Sequence, residues 1–156
     1  MKKTALALSL AATLFATHVY ADDDKGAAFA ILGSSPFAHQ TYGPNVVRGE
    51  AKLAPHGRGL TQVTVRINGL KPGTTHVGHI HGGTCAQLFA GAILHNLEPI
   101  VVNAQGRGMS KTEIPATLEN LRDCDWWVAV HEGAANSSPQ TPAVAIGPVL
   151  TRGETR

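Results

Sequence analysis

Breaks in this chain decide what it can become. Its 17 Gly and 9 Pro interrupt the sequence every few residues, which leaves little room for long helices and ample room for short strands. β-prone runs lie between the breaks at Ala27–Leu32, Val46–Leu53, Leu60–Asn68, Thr74–His81, Ile100–Asn103, Gly108–Ile114, Trp126–His131 and Ala143–Leu150. Within Leu60–Asn68 the residues alternate: Val63, Val65 and Ile67 fall on one face, Thr64, Arg66 and Asn68 on the other. That is the pattern of a half-buried strand. The segment Asn68-Gly69-Leu70-Lys71-Pro72-Gly73 is turn chemistry and leads directly into the next strand. Eight short strands between turns predict an all-β sandwich or barrel. One helical turn is expected, over Ala116–Arg122 after Pro115.

The N-terminus reads as an export signal. Met1-Lys2-Lys3 is a charged start, Ala5 to Ala16 is mostly apolar, and Val19-Tyr20-Ala21 supplies small residues for cleavage after Ala21. Residues 1–21 are therefore expected to be a signal peptide and 22–26 a disordered leader. A single domain is expected over 27–150 and a flexible tail over 151–156. About 135 residues remain after cleavage, enough for one domain with a core and too few for two. The Gly133–Pro142 stretch reads as a loop. No second stretch approaches the length of a membrane span, so the destination is the periplasm or the exterior. Losing Lys2 and Lys3 leaves as many basic as acidic residues, and no Lys/Arg cluster points to nucleic acid. Oligomeric state has no sequence signal.

Chemistry concentrates in His76-Val77-Gly78-His79-Ile80-His81, which holds three of the eight histidines. On a strand His79 and His81 share a face, about 6–7 Å apart, and His76 points the other way. Two imidazoles on one rigid face suit copper or zinc better than calcium or magnesium. His131, ending the Trp126–His131 run, is the best third ligand, and His95 is a fourth candidate. Taken alone, a His-x-His strand is more often hydrogen-bonded structure than a ligand pair. His39 and His56 lie among loop residues, and Asp123 and Asp125 read as turn residues. Trp126 and Trp127 should send one ring to the core and the other to a loop or partner. Cys85 and Cys124, the only cysteines, are expected to form a disulfide in an oxidising compartment. The Gly-Arg-Gly triplets at 57–59 and 106–108 lack the strand–loop–helix setting of a phosphate cradle.

These residues together resemble the copper/zinc superoxide dismutase superfamily. The similarity runs through Val63-Thr64-Val65, Asn68–Gly73 and Thr75–His81, and resumes at Trp127–Glu132 and Ala143–Gly147. It implies an eight-stranded Greek-key β-barrel of immunoglobulin-like type, with copper held by His79, His81 and His131. His76 would be an outer-sphere group on the opposite face. The departures are specific. The region after Cys85 is short and offers only His95, Asn96 and Glu98, so a zinc site is not expected, although His95 could stand in for the family's bridging histidine. Ile146 replaces the family's late cysteine, so a Cys85–Cys124 bridge would be a different connection. The arginine that guides superoxide is absent near Pro142-Ala143. The resemblance implies an exported copper protein that dismutates superoxide at a copper-only site, slowly for want of steering. The alternatives are a copper-sequestering module without turnover and a metal-free interaction domain on the same barrel.

Overall fold

The computed structural model describes residues 25–87, 91–133 and 141–151. The expected signal peptide, most of the expected leader, the middle of the Gly133–Pro142 stretch and the last five residues lie outside them. The chain forms β1 (Ala28–Ser34), α1 (Pro36–Tyr42), β2 (Arg48–Pro55), β3 (Thr61–Asn68), β4 (Thr75–His76) and β5 (Gly78–Gly82). It continues with β6 (Ile93–Asn96), β7 (Ile100–Val102), β8 (Arg107–Ile114), β9 (Trp126–His131), β10 (Ala143–Pro148) and β11 (Leu150–Thr151). All pairings are antiparallel, in the order β4-β7-β8-β3-β2-β1-β10-β9-β5-β6, with β11 on β1.

The two ends of that order are joined by one stretch of chain. Thr75–His76 pairs with β7 at one end, and after Val77 the same stretch continues as β5 between β9 and β6 at the other. The sheet therefore curls into a barrel, and the histidine stretch is where it comes round on itself. Turn chemistry positions that stretch. Gly69 sits at φ 84°, and a Cβ there would collide with the Val46 carbonyl, so only Gly admits the close turn.

Alternation fills the interior. Val63, Val65 and Ile67 of β3 are buried with Ala30 and Leu32 of β1, Ala51 and Leu53 of β2, and Ile114 of β8. Ile80 of β5 joins Val128 and Val130 of β9 in the same core. The wall carrying the histidines is thus anchored from behind by fully buried β-branched side chains. Such packing holds side-chain positions to fractions of an ångström.

Four expectations need correction. Eleven strand segments stand where eight runs were expected: the last run splits into β10 and β11, the histidine run splits at Val77, and Ile93–Asn96 adds an unforeseen strand. The Ala116–Arg122 stretch is not helical: Asn120 takes φ 62° and Leu121 N–H donates to Leu118 O at 3.1 Å, a single turn. The helix lies instead at Pro36–Tyr42, where Ser35 caps it by accepting from Ala38 N–H at 3.0 Å and Pro36 starts it. Thr151, expected in the tail, pairs with Ala28, and its amide and hydroxyl both reach the Asp123 carboxylate, at 2.7 and 2.8 Å.

Candidate metal centre

β5 and β9 run side by side, with His79 opposite Ala129 and His81 opposite Trp127. Their inward faces carry Ile80, Val128 and Val130. The alternate residues, His79 and His81 on β5 with Trp127, Ala129 and His131 on β9, face outward beneath the loops. Ring centroids lie 5.7 Å apart for His79–His81, 4.9 Å for His79–His131 and 5.8 Å for His81–His131. One nitrogen of each ring lies within 4.8 Å of those of the other two. A metal about 2.0–2.1 Å from each of three nitrogens holds them about 3.3–3.6 Å apart. Closing onto an ion therefore draws the rings together by roughly 1 Å.

Each of the three rings also keeps one nitrogen without a partner. His79 Nδ1, His81 Nε2 and His131 Nε2 are buried and accept or donate no hydrogen bond. Leaving a buried polar atom unsatisfied costs about 1–3 kcal/mol, a cost that a bound ion would relieve. The remaining nitrogens of two rings are committed. His81 Nδ1–H donates to Gly91 O at 3.0 Å and His131 Nδ1–H to Thr141 O at 2.6 Å. A carbonyl can only accept, so these bonds fix both tautomers and leave the lone pair of each Nε2 free for a metal. The triad can hold a metal ion, and it is the one such cluster of His, Cys, Asp or Glu among the described residues.

Electrostatics keep the site ready for a cation. Burial, and then the neighbouring His131 and His81, lower the His79 pKa to about 4. Burial lowers that of His131 against the opposing pull of its bond to Thr141. Metal binding requires neutral imidazoles, and at neutral pH His79 and His131 already are. The metal-free protein should pay for this in acid. Unfolded, His79 takes up its proton near pH 6.5; folded, it resists until about pH 4. Its contribution is intact above pH 6.5 and is lost as pH falls through that window. The melting temperature of metal-free protein is expected to fall between pH 6.5 and 4, and His79→Gln should flatten the fall. An unchanged slope in that variant would contradict the assignment.

Two loops hand carbonyls to the ligands. Gly91 approaches β5 so closely that a Cβ on it would overlap the Gly82 carbonyl. No other residue brings Gly91 O within reach of His81. Gly91→Ala should push this loop off and weaken metal affinity by about 10–100-fold, the usual cost of losing an outer-sphere partner. Calorimetric titration of the variant measures it, and unchanged affinity would show that the bond does not matter.

His76 lies on the other side of the strand and is fully buried. Its Nδ1 meets His131 O at 2.9 Å and its Nε2 meets Thr74 Oγ1 at 2.8 Å. It therefore ties the ligand strand β9 from behind. Beside it, Glu132 accepts from Tyr42 O–H at 2.7 Å, and its carboxylate lies 4.0 Å from His76 Nδ1. Burial and then Glu132 raise the Tyr42 pKa, keeping the phenol protonated. This Tyr42–Glu132 link between α1 and the end of β9 has no sequence signal, because 90 residues separate its ends. The Gly91 contact is equally invisible in the sequence.

His95 is placed away from the triad. It pairs with Ile80 across β5–β6, so its ring stands on Ile80's side of the sheet and packs edge-on to Trp126, with centroids 5.9 Å apart. Trp127 is buried, and its indole N–H donates to Thr84 O at 3.2 Å. His39 is exposed on α1, and His56 pairs with Glu113 at 3.1 Å on the surface. Asp125 binds Arg122 within its own turn. Cys85 and Cys124 form a disulfide that joins the turn after β5 to the turn before β9. It braces the two ligand strands at one end.

No protein-family model matches the chain, and no curated protein matches its sequence. Among solved structures it is similar to the crystal structure of the clock protein EA4, with a TM-score of 0.51 and 16% sequence identity. The likeness covers 81% of this chain and 95% of that one, and at that identity it is a likeness of fold. The chain is thus an all-β, barrel-like domain that carries an outward-facing three-histidine centre able to hold a metal ion.

Proposed function

We propose that this is an exported, superoxide-dismutase-like copper protein in which His79 Nδ1, His81 Nε2 and His131 Nε2 hold a single copper ion. The observation that carries the proposal is a three-histidine cluster in which one nitrogen of each ring lies within 4.8 Å of the others, while each ring keeps a buried nitrogen without a partner. The donor set supports copper over other ions, because three neutral imidazoles suit Cu(II) first and Zn(II) next in the stability order. The order of the motifs, His-x-His and then Val-His-Glu, supports the dismutase reading, and with it a Greek-key arrangement of the barrel. His76 acts behind the site by restraining the His131 backbone, and the Gly91 and Thr141 carbonyls keep two rings in one orientation.

When bound, copper would supply one-electron chemistry, oxidising one superoxide to dioxygen and reducing a second to peroxide. The chain's own part is to hold three imidazole donors together in one orientation. The Thr141-Pro142-Ala143 segment beside His131 carries no cation, which favours slow turnover, or copper sequestration with none. Protein loaded with one equivalent of copper, assayed for superoxide loss, separates these two. Turnover above the apoprotein but well below the diffusion limit supports the dismutase reading. Tight copper binding without turnover selects sequestration, and failure to bind copper removes both.

A further inference from the structure

The outer face of β7, β8, β3, β2 and β1 carries a patterned surface on the wall away from the metal centre. Register lines up Ile31, Glu50, Arg66, Met109 and Val101 in one cross-strand row. Three of these are large apolar residues left in solvent: Ile31 is 73% exposed, Val101 66% and Met109 59%. Arg66 and Glu50 pair at 3.6 Å in the middle of the row. The next row places Arg48, Asn68 and Arg107 side by side, and the row beyond the centre places Lys52, Thr64 and Lys111. Arg48, Arg66 and Arg107 border an open depression of about 640 Å³ with Ile31, Val101 and Met109.

Charge on this face is segregated. From Asp22 onward the chain has equal numbers of basic and acidic residues, yet among the described residues Arg48, Lys52, Arg66, Arg107 and Lys111 stand in these rows against Glu50 and Glu113. A face so biased selects an anionic partner. A second copy of the chain would bring like charges together. A lipid bilayer, flat on this scale, would not follow a depression. Arginine's planar fork matches carboxylates in two-pronged geometry, and apolar side chains standing between arginines match a ligand that alternates in the same way.

We propose that this depression binds an acidic peptide segment of a partner protein, one whose carboxylates are interleaved with apolar side chains. Its carboxylates would meet Arg48 and Arg107, two strands and about 10 Å apart, and its apolar side chains would rest on Ile31, Met109 and Val101. The assignment is independent of the metal and of superoxide.

The test uses the mature protein and a fluorescein-labelled peptide of about ten residues in which Asp and Leu alternate, followed by fluorescence anisotropy. Binding is expected, weakening with salt as screening requires. Arg48→Glu with Arg107→Glu should weaken it at least about tenfold, and Ile31→Ser with Met109→Ser at least about fivefold. Thermal unfolding and copper content should be unchanged in both. If charge reversal destabilises the sheet, Arg48→Gln with Arg107→Gln should still weaken binding at least about threefold. No binding, equal binding by the variants, equal binding of the peptide with Lys in place of Asp, or tighter binding to phosphatidylglycerol vesicles would each overturn the proposal.

Discussion

Replacing both His79 and His81 by Ala is expected to abolish copper retention at neutral pH while making the metal-free protein no less stable. The first half follows from the ligand count. One imidazole cannot hold a transition ion against water and buffer, so the loss should exceed the 10–100-fold that an outer partner is worth. The second half follows from the unsatisfied atoms. His79 Nδ1 and His81 Nε2 are buried without partners, and removing such atoms removes a cost of about 1–3 kcal/mol each. Both side chains point away from the core formed by Ile80, Val128 and Val130, so their loss opens no hole there, and the lost bond from His81 Nδ1 to Gly91 O offsets only about 1 kcal/mol of that gain. Copper should raise the melting temperature of the wild type and leave that of the variant unchanged. Metal analysis after dialysis, with thermal unfolding of the metal-free forms, measures both halves. Copper retained at one per chain by the double variant would remove the triad from consideration.

Converting Cys85 and Cys124 together to Ser should cost about 4 kcal/mol of stability, because the bridge closes a loop of 39 residues. For a domain of this size that lowers the melting temperature by something on the order of 15 °C. The effect should reach the metal centre as well. The bridge lies between β5 and β9, where Gly83 N–H donates to Asp125 O at 3.0 Å and Trp127 to Thr84 O. The chain running on from Cys85 returns at Gly91 to hold His81. A looser loop should therefore lower copper affinity in the folded variant. Denaturant melts and copper titration below the melting range separate the two effects. A loss of stability under about 1 kcal/mol would mean that the loop is already ordered in the unfolded chain.

Local pattern carried most of the fold and most of the site. The alternation of Val63, Val65 and Ile67 specified a strand and its buried face, and the structure has both. The spacing of His79 and His81 placed them on one face, where their rings lie 5.7 Å apart. His76, expected on the opposite face, is fully buried with its Nδ1 2.9 Å from His131 O. What escaped detection depends on long-range geometry. Ile93–Asn96 has too few residues to announce a strand, and it becomes one because β5 offers it a free edge. That same pairing decides His95: opposite Ile80, its ring must take Ile80's side. The helix at Pro36–Tyr42 did have a local signal, in Ser35 followed by Pro36. The stronger-looking Pro115 stretch misled because its chain turns at Asn120 instead of continuing.

The measurement that bears most directly on the three-histidine centre is the electron paramagnetic resonance of protein carrying one equivalent of Cu(II), recorded with and without His95→Ala. Three converging donors predict one bound copper per chain, with couplings to three imidazole nitrogens. Those couplings should be unchanged in His95→Ala and fall to two nitrogens in His131→Ala. Couplings to only one or two nitrogens in the wild type, or a spectrum that changes with His95 and not with His131, would contradict the account.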